Sequence, residues 1–257
     1  MSTIAENLQV LNEAKANIKT ALENKGVDMT DVPFTQYAEK IASIQASNKA
    51  TIKDRINAIG ADYLFYYANT TNEVVASLLS YDDTENAIQM TGMFRFSKGI
   101  THPPLFDTRK VGYAGNAFRS SDVEVIESYD FRSAYNLNDI VTDCPNLKEC
   151  WIKNIKANLK VCSGEDYGHL LTPESLIHLI KELRDTGSTK TLAIGDVNLA
   201  KLTSTYVRVL ADGEISDEMR AEDDLIDEKL PFAICESTDE GAMHIVDYAK
   251  LKNWDVV

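Results

Sequence analysis

Four histidines, four cysteines and one dense acidic run are the side chains of this chain that could do chemistry. His102, His169, His178 and His244 are scattered. None stands in the i, i+4 pairing with a Glu through which a helix offers two imidazoles to zinc. Cys144, Cys150, Cys162 and Cys235 are separated by 6, 12 and 73 residues. Those gaps match neither a zinc-ligand pattern nor a disulfide framework, so the thiols read as small buried hydrophobes. There is no Gly-x-Ser-x-Gly elbow and no Walker-type loop, and the twelve glycines are dispersed. Oxygen ligands for a hard divalent cation are plentiful in Asp212-Gly213-Glu214-Ile215-Ser216-Asp217-Glu218. Their spacing lacks the alternate positions and the twelfth-place Glu of a calcium loop. With the pairs Asp223-Asp224 and Asp227-Glu228, the stretch 211–230 reads as a solvated loop or as a patch that docks on a basic neighbour. A glycoside hydrolase needs two carboxylates about 5 Å or about 6.5–9.5 Å apart. Among 40 acidic residues no spacing singles out such a pair. The reading is of a protein without catalytic residues, metal or cofactor.

The net charge of −14 over 257 residues argues against nucleic acid and against anionic membrane surfaces as partners. That charge is unevenly placed. Residues 1–60 carry seven basic and seven acidic side chains, whereas 212–230 carry nine carboxylates against Arg220 and Lys229. Met1-Ser2-Thr3-Ile4-Ala5-Glu6 has no signal-peptide character, and no apolar run approaches the roughly 18–20 residues that span a bilayer. Synthesis in a cytoplasm, without export by that route and without membrane insertion, is expected.

Between Met93 and Ile155 similar residues return at a fixed interval. Phe94 to Phe118 is 24 residues, Phe118 to Val141 is 23, and Asp107 to Asp130 is 23. A period in the low twenties predicts a leucine-rich-type solenoid, in which each turn supplies a short strand and a return segment. The coil is expected from about residue 86 to 205. Its last unit has Thr172 as N-cap, Pro173 at the first helical position and a stripe of Leu176, Leu179, Ile180 and Leu183. A strand at 191–195 and Asn198-Leu199-Ala200-Lys201-Leu202 follow. Beyond that, strands are expected at 206–210 and 230–235. A helix opening at Ser237 and a short strand from Trp254 to Val257 close the chain, with the terminus packed.

Ile4, Leu8, Leu11, Lys15, Ile18 and Leu22 step by four and three, a heptad seam that Lys15 interrupts. Gly26 stands where a C-cap glycine belongs, and Pro33 suits the first turn of a second helix carrying Phe34, Tyr37, Ile41 and Ile44. A helical hairpin or short self-associating bundle follows. Its candidate assembly residues are Leu8, Leu11, Ile18, Leu22, Phe34, Tyr37, Ile41 and Ile44. Residues 45–50 read as a polar hinge, and Ile52, Ile56 and Ile59 as one more short helix ending at Gly60. The aromatic run Tyr63-Leu64-Phe65-Tyr66-Tyr67 is either a strand capping the first solenoid turn or an exposed contact surface. The expected fold is thus α+β. A helical assembly domain spans 1–48, a connecting and capping region 49–85, and a repeat domain with a C-terminal helix-strand cap 86–257.

The N-terminal Leu8-Gln9-Val10-Leu11-Asn12-Glu13-Ala14-Lys15-Ala16-Asn17-Ile18-Lys19, with Lys25-Gly26-Val27 and Phe34-Thr35-Gln36-Tyr37-Ala38-Glu39-Lys40-Ile41, resembles the helical start of bacteriophage tail and fibre proteins. Leu105-Phe106-Asp107-Thr108-Arg109-Lys110-Val111 and Thr172-Pro173-Glu174-Ser175-Leu176 are similar to phrases of BspA-like leucine-rich repeats. Tyr248-Ala249-Lys250-Leu251-Lys252-Asn253-Trp254 is similar to the closing phrase of such tail proteins, with Asn253 in place of the usual Gly. The resemblance implies a virion protein of the tail, baseplate, collar or fibre without enzymatic activity, made in the host bacterial cytoplasm. Other virion proteins and further copies of the chain are the implied partners, with a host-surface receptor or glycan beyond them. A three-fold arrangement suits so short a seam. Two alternatives are a tail-associated glycan-degrading enzyme and a bacterial BspA-like surface adhesin.

Overall fold

The computed structural model describes residues 4–161, 171–211, 214–216 and 231–257. The chain divides into two compact units, Met1–Asp54 and Arg55–Val257.

The first unit is built on helix α1 (Ile4–Glu23), whose length rests on good helix formers and on pairs such as Lys19–Glu23. It ends in a Schellman motif. Gly26 takes φ +78°, its N–H donates to Glu23 O, and the Val27 N–H reaches back to Leu22 O. Val27 then packs beside Leu22, Met29 and Tyr37, which form the unit's small core with Val32 and Ile44. A 3-10 turn at Phe34–Gln36 leads into α2 (Tyr37–Ile59). The expected hinge at 45–50 is instead the middle of this helix. Gln-Ala-Ser-Asn-Lys-Ala contains no Gly or Pro, and polarity alone does not stop a helix.

In the second unit, α3 (Asn72–Leu78) starts at Thr71, whose hydroxyl accepts from the Val74 N–H. The 3-10 turn Tyr81–Thr84 starts at Ser80, in a capping box with Asp83. From there the backbone runs through successive turns bonded to one another. The N–H groups of Ala61, Tyr63, Phe65 and Tyr67 donate to the carbonyls of Gln89, Thr91, Met93 and Arg95. Those of Met90, Gly92, Phe94 and Phe96 donate to Tyr113, Gly115, Ala117 and Arg119, and the next set reaches Asn136, Asn138, Ile140 and Thr142. Each segment is held in a turn by left-handed residues at matching places, Tyr63, Gly92, Asn116 and Asp139 among them.

The leucine-rich-repeat solenoid expected from the period is therefore not the fold. Among the described residues the strands are two to four residues long and form three small sheets, none closed or curled into a repeat solenoid. β1 (Val125–Ile126) pairs in parallel with β2 (Glu149–Cys150). β3 (Leu159–Lys160), β4 (Lys190–Ala193) and β8 (Trp254–Val256) form a parallel trio in the order β3-β4-β8. β5 (Tyr206–Val209) lies antiparallel between β6 (Phe232–Cys235) and β7 (Met243–His244). The architecture is a mixed α/β fold. The recurring apolar residues of 93–155 sit largely in turns, where alternation along an extended strand never develops. The aromatic run 63–67 is likewise turn, not strand.

Helices α4 (Pro173–Lys181), α5 (Asp196–Lys201) and α6 (Ile245–Leu251) complete the described elements. α4 begins as its sequence dictates, with the Thr172 hydroxyl accepting from the Ser175 N–H and Pro173 in the first turn. α6 starts at Ile245, later than the Ser237 opening expected, because Met243 and His244 are drawn into pairing with β5. The core of the unit is an aromatic column. Phe65, Phe94 and Phe118 stack with centroids 5.2 and 5.4 Å apart and rings nearly parallel, and Phe106 and Tyr129 flank them.

Candidate interaction surfaces

The groups that could do chemistry are mostly engaged in holding the fold. His178, on α4, is half-buried with Nε2 3.0 Å from Ile152 O and its ring edge-on to Trp151. Since a carbonyl only accepts, Nε2 carries the proton. Burial lowers the His178 pKa, with Glu182 and the Ile152 carbonyl acting against it. An unfolded chain protonates this imidazole below its ordinary value near 6.5, while the folded one keeps it neutral to lower pH. The associated stability is complete above that value and is lost as pH falls through the folded pKa. Melting temperatures from pH 7.5 to 4.5 should therefore fall less steeply in His178→Gln than in the parent; identical profiles would refute the assignment. His244 caps α6, its Nδ1 accepting from the Val246 N–H, and His102 lies 2.9 Å from Thr101 Oγ1. His169 lies outside the described residues.

Cys144 and Cys150 are buried thiols whose pKa values burial pushes up to about 11 and about 12, which suits inert packing. Cys235 is a half-buried free thiol on β6, and Cys162 lies outside the described residues. Asp107 is buried and gripped by Arg109, whose hydrogen bonds hold its carboxyl below the usual range against the effect of burial. Asp130 repeats the device 23 residues on. Burial acts to raise its pKa, but hydrogen bonds from Arg132 and Asn154 lower it further. Both carboxylates are thus held ionised by neighbours two residues away. Of the acidic stretch, Ala211 and 214–216 are described. Glu214 is clamped by Arg208 at 2.7 Å, which draws its pKa down to about 2. The pairs Asp223-Asp224 and Asp227-Glu228 lie outside the described residues. Among those that are described, no group of three His, Cys, Asp or Glu could hold a metal ion, and no helix is long and apolar enough to cross a membrane.

What the first unit leaves over is apolar surface. Of the eight candidate assembly residues, Leu22 and Tyr37 are buried in the hairpin's own core and Ile44 packs against it. Leu8 and Leu11 are instead 54% and 62% exposed, and Ile18, Phe34 and Ile41 are exposed as well. The heptad seam therefore splits. Leu22 closes the hairpin, and Leu8, Leu11 and Ile18 stay exposed. Lys15 and Lys19 line a cavity of about 370 Å³ beside Met29 and Tyr37.

In the second unit Tyr67 stacks on Phe96 at 4.7 Å and Arg95 lies 4.7 Å from the Phe96 ring, while Tyr66 and Tyr67 remain exposed. Three tyrosines sequence reasoning did not connect, Tyr63, Tyr113 and Tyr135, rest on glycines of neighbouring turns. No spacing in the chain announces that arrangement. No family model, no curated protein and no solved structure matches the chain.

Proposed function

We propose that this chain is a structural, non-enzymatic virion protein of a bacteriophage tail, baseplate, collar or fibre. It assembles through its N-terminal helices and presents residues 55–257 for protein assembly or host-surface binding. The observation that carries the reading is the uncovered row of Leu8, Leu11 and Ile18 on α1, with Phe34 and Ile41 also exposed. Apolar side chains at heptad spacing on a short helix are marginal in water alone and are stabilised by sister helices. The likeness of residues 8–41 to the helical start of phage tail and fibre proteins supports the same reading. Partners are further copies, three-fold for a seam this short, and other virion proteins.

The test is the mass of the full-length protein by light scattering at tens of micromolar. A small closed oligomer is expected, with three copies as the leading stoichiometry. Leu8→Glu with Leu11→Glu should convert it to monomer while helicity is retained, because neither side chain belongs to the hairpin core. A parent chain that is monomeric, or an oligomer indifferent to the double change, would overturn the assembly role.

A further inference from the structure

Arg95 and Arg119 stand at the same place in successive turns. Each directly precedes a left-handed residue, Phe96 or Ser120, and each of those follows another by four, Gly92 or Asn116. The next turn repeats the pair as Asp139 and Asp143. Arg119 is engaged by three acceptors. Its Nη1 lies 3.2 Å from Asn116 Oδ1 and 3.8 Å from Asp139, and its Nε lies 3.4 Å from Asp143. The places that supply those acceptors are, for Arg95, Gly92, Asn116 and Ser120, none of them acidic. The Arg95 guanidinium accordingly has no carboxylate among the described residues, and its Nε is buried without an acceptor. What holds it is the ring of Phe96, 4.7 Å away. The other charged groups of turns 61–68, 89–99 and 113–122 are taken. Asp62 accepts the Thr91 N–H, Lys98 pairs with Asp122 at 2.7 Å, and Arg119 is held as above.

Two further features adjoin this cation. Tyr67 stacks on Phe96 at 4.7 Å and meets Tyr66 at 4.6 Å, yet the two tyrosines stay 64% and 39% exposed. The segment 61–67 also opens the series of bonded turns. Its N–H groups donate onward, that of Tyr67 to Arg95 O, while the Tyr67 carbonyl accepts from no N–H among the described residues. An unpaired guanidinium, exposed rings and a free backbone acceptor thus meet at one edge.

We infer that this edge binds an extended peptide segment of a partner protein, one that sets a carboxylate beside an aromatic or proline side chain. The carboxylate meets the Arg95 guanidinium, the apolar side chain lies on Tyr66 and Tyr67, and a peptide N–H donates to the Tyr67 carbonyl. The free carbonyl favours a peptide over a simple anion, which has no N–H to give. The net charge of −14 disfavours the phosphates of nucleic acid. The inference rests on the reading of residues 55–257 as the presenting unit and names the chemistry of what that unit takes.

The test sorts a displayed library of random dodecapeptides against the full-length protein and titrates the enriched peptides by fluorescence anisotropy. Enriched sequences are expected to share an Asp or Glu next to an aromatic residue or Pro. Arg95→Gln should weaken them by about tenfold or more. In that variant, exchanging the peptide's acid for its amide should cost nothing further, as a paired contact requires. Tyr67→Ala should weaken them by about threefold or more. Because the Arg95 side chain has no hydrogen bond to lose, Arg95→Gln should melt within about 2 °C of the parent. No enriched peptide, enriched peptides without the acid, or an Arg95→Gln affinity within twofold of the parent would overturn the inference. So would a change in oligomeric mass caused by Arg95→Gln, which would assign the edge to contact between copies. The Leu8→Glu, Leu11→Glu chain should keep the parent's affinity per protomer, so a failed assembly test leaves this one standing.

Discussion

Phe94→Ala is expected to destabilise the 55–257 unit by about 3–5 kcal/mol, the range for emptying a buried phenylalanine site. Phe94 is the central ring of the aromatic column. Phe65 and Phe118 lie parallel on either side of it, and Phe106 stacks at 5.9 Å. Its removal leaves three rings facing a cavity that the turns cannot close, because their backbones are bonded to one another at fixed spacing. For a unit of about two hundred residues each kcal/mol moves the melting midpoint by about 2–4 °C, so a fall of about 10 °C is expected in calorimetry. Tyr135→Ala, at an exposed ring, should stay within about 0.5 kcal/mol of the parent and serves as the comparison. A Phe94→Ala loss below about 1 kcal/mol would mean that the column is not where the unit's stability resides.

The local parts of this fold were legible because their causes are local. Gly26 ends α1 through its left-handed backbone, and Thr172 with Pro173 starts α4, both readable within five residues. The interval of 23–24 residues was equally visible, and it does relate neighbouring turns. What apolar spacing could not distinguish was a turn from a strand. That choice is made by single backbone conformations at Asn116, Ser120, Asp139 and Asp143, residue types that serve loops and helix caps as readily. At 45–50 polar composition suggests a hinge, yet a run without Gly or Pro continues as helix within α2. The candidate assembly residues divide between the hairpin's own core and exposed positions, a division that heptad spacing does not encode. Leu22 and Tyr37 are consumed by the Met29 turn, which folds back onto them. The tyrosine seats on Gly92, Gly112 and Gly115 were invisible, because ring and glycine come from different turns and no periodicity links them.

Long-range partners also hide the second large effect, at Lys252. A lysine near the end of a chain reads as solvated, yet this one is 1% exposed. Its Nζ donates to Lys181 O and Leu183 O at 3.1 and 3.0 Å, and lies 4.7 Å from the Tyr248 ring centre. The Lys181 carbonyl is the last of α4, where a cation meets an orphan acceptor and the negative end of the helix dipole, and Leu183 lies two residues beyond it, bridged to Ile155. Two residues on, Trp254 Nε1 donates to Arg184 O, so the terminal strand and the α4 exit are tied at adjacent points. Lys252→Met keeps most of the apolar stem but leaves buried acceptors without a donor. Charge-assisted bonds contribute about 1.5–3 kcal/mol each and an orphaned buried carbonyl costs about 1–3 kcal/mol, so a loss of about 3–5 kcal/mol is expected. Because β8 pairs directly with β4, the loosened terminus should expose Trp254, read as a red shift and quenching of its fluorescence before global melting. Lys252→Arg should recover little, since a planar fork does not fit a pocket shaped around one ammonium. A Lys252→Met protein that melts within 2 °C of the parent, with Trp254 still shielded, would show that the packing of Trp254 and Val256 alone holds the terminus in place.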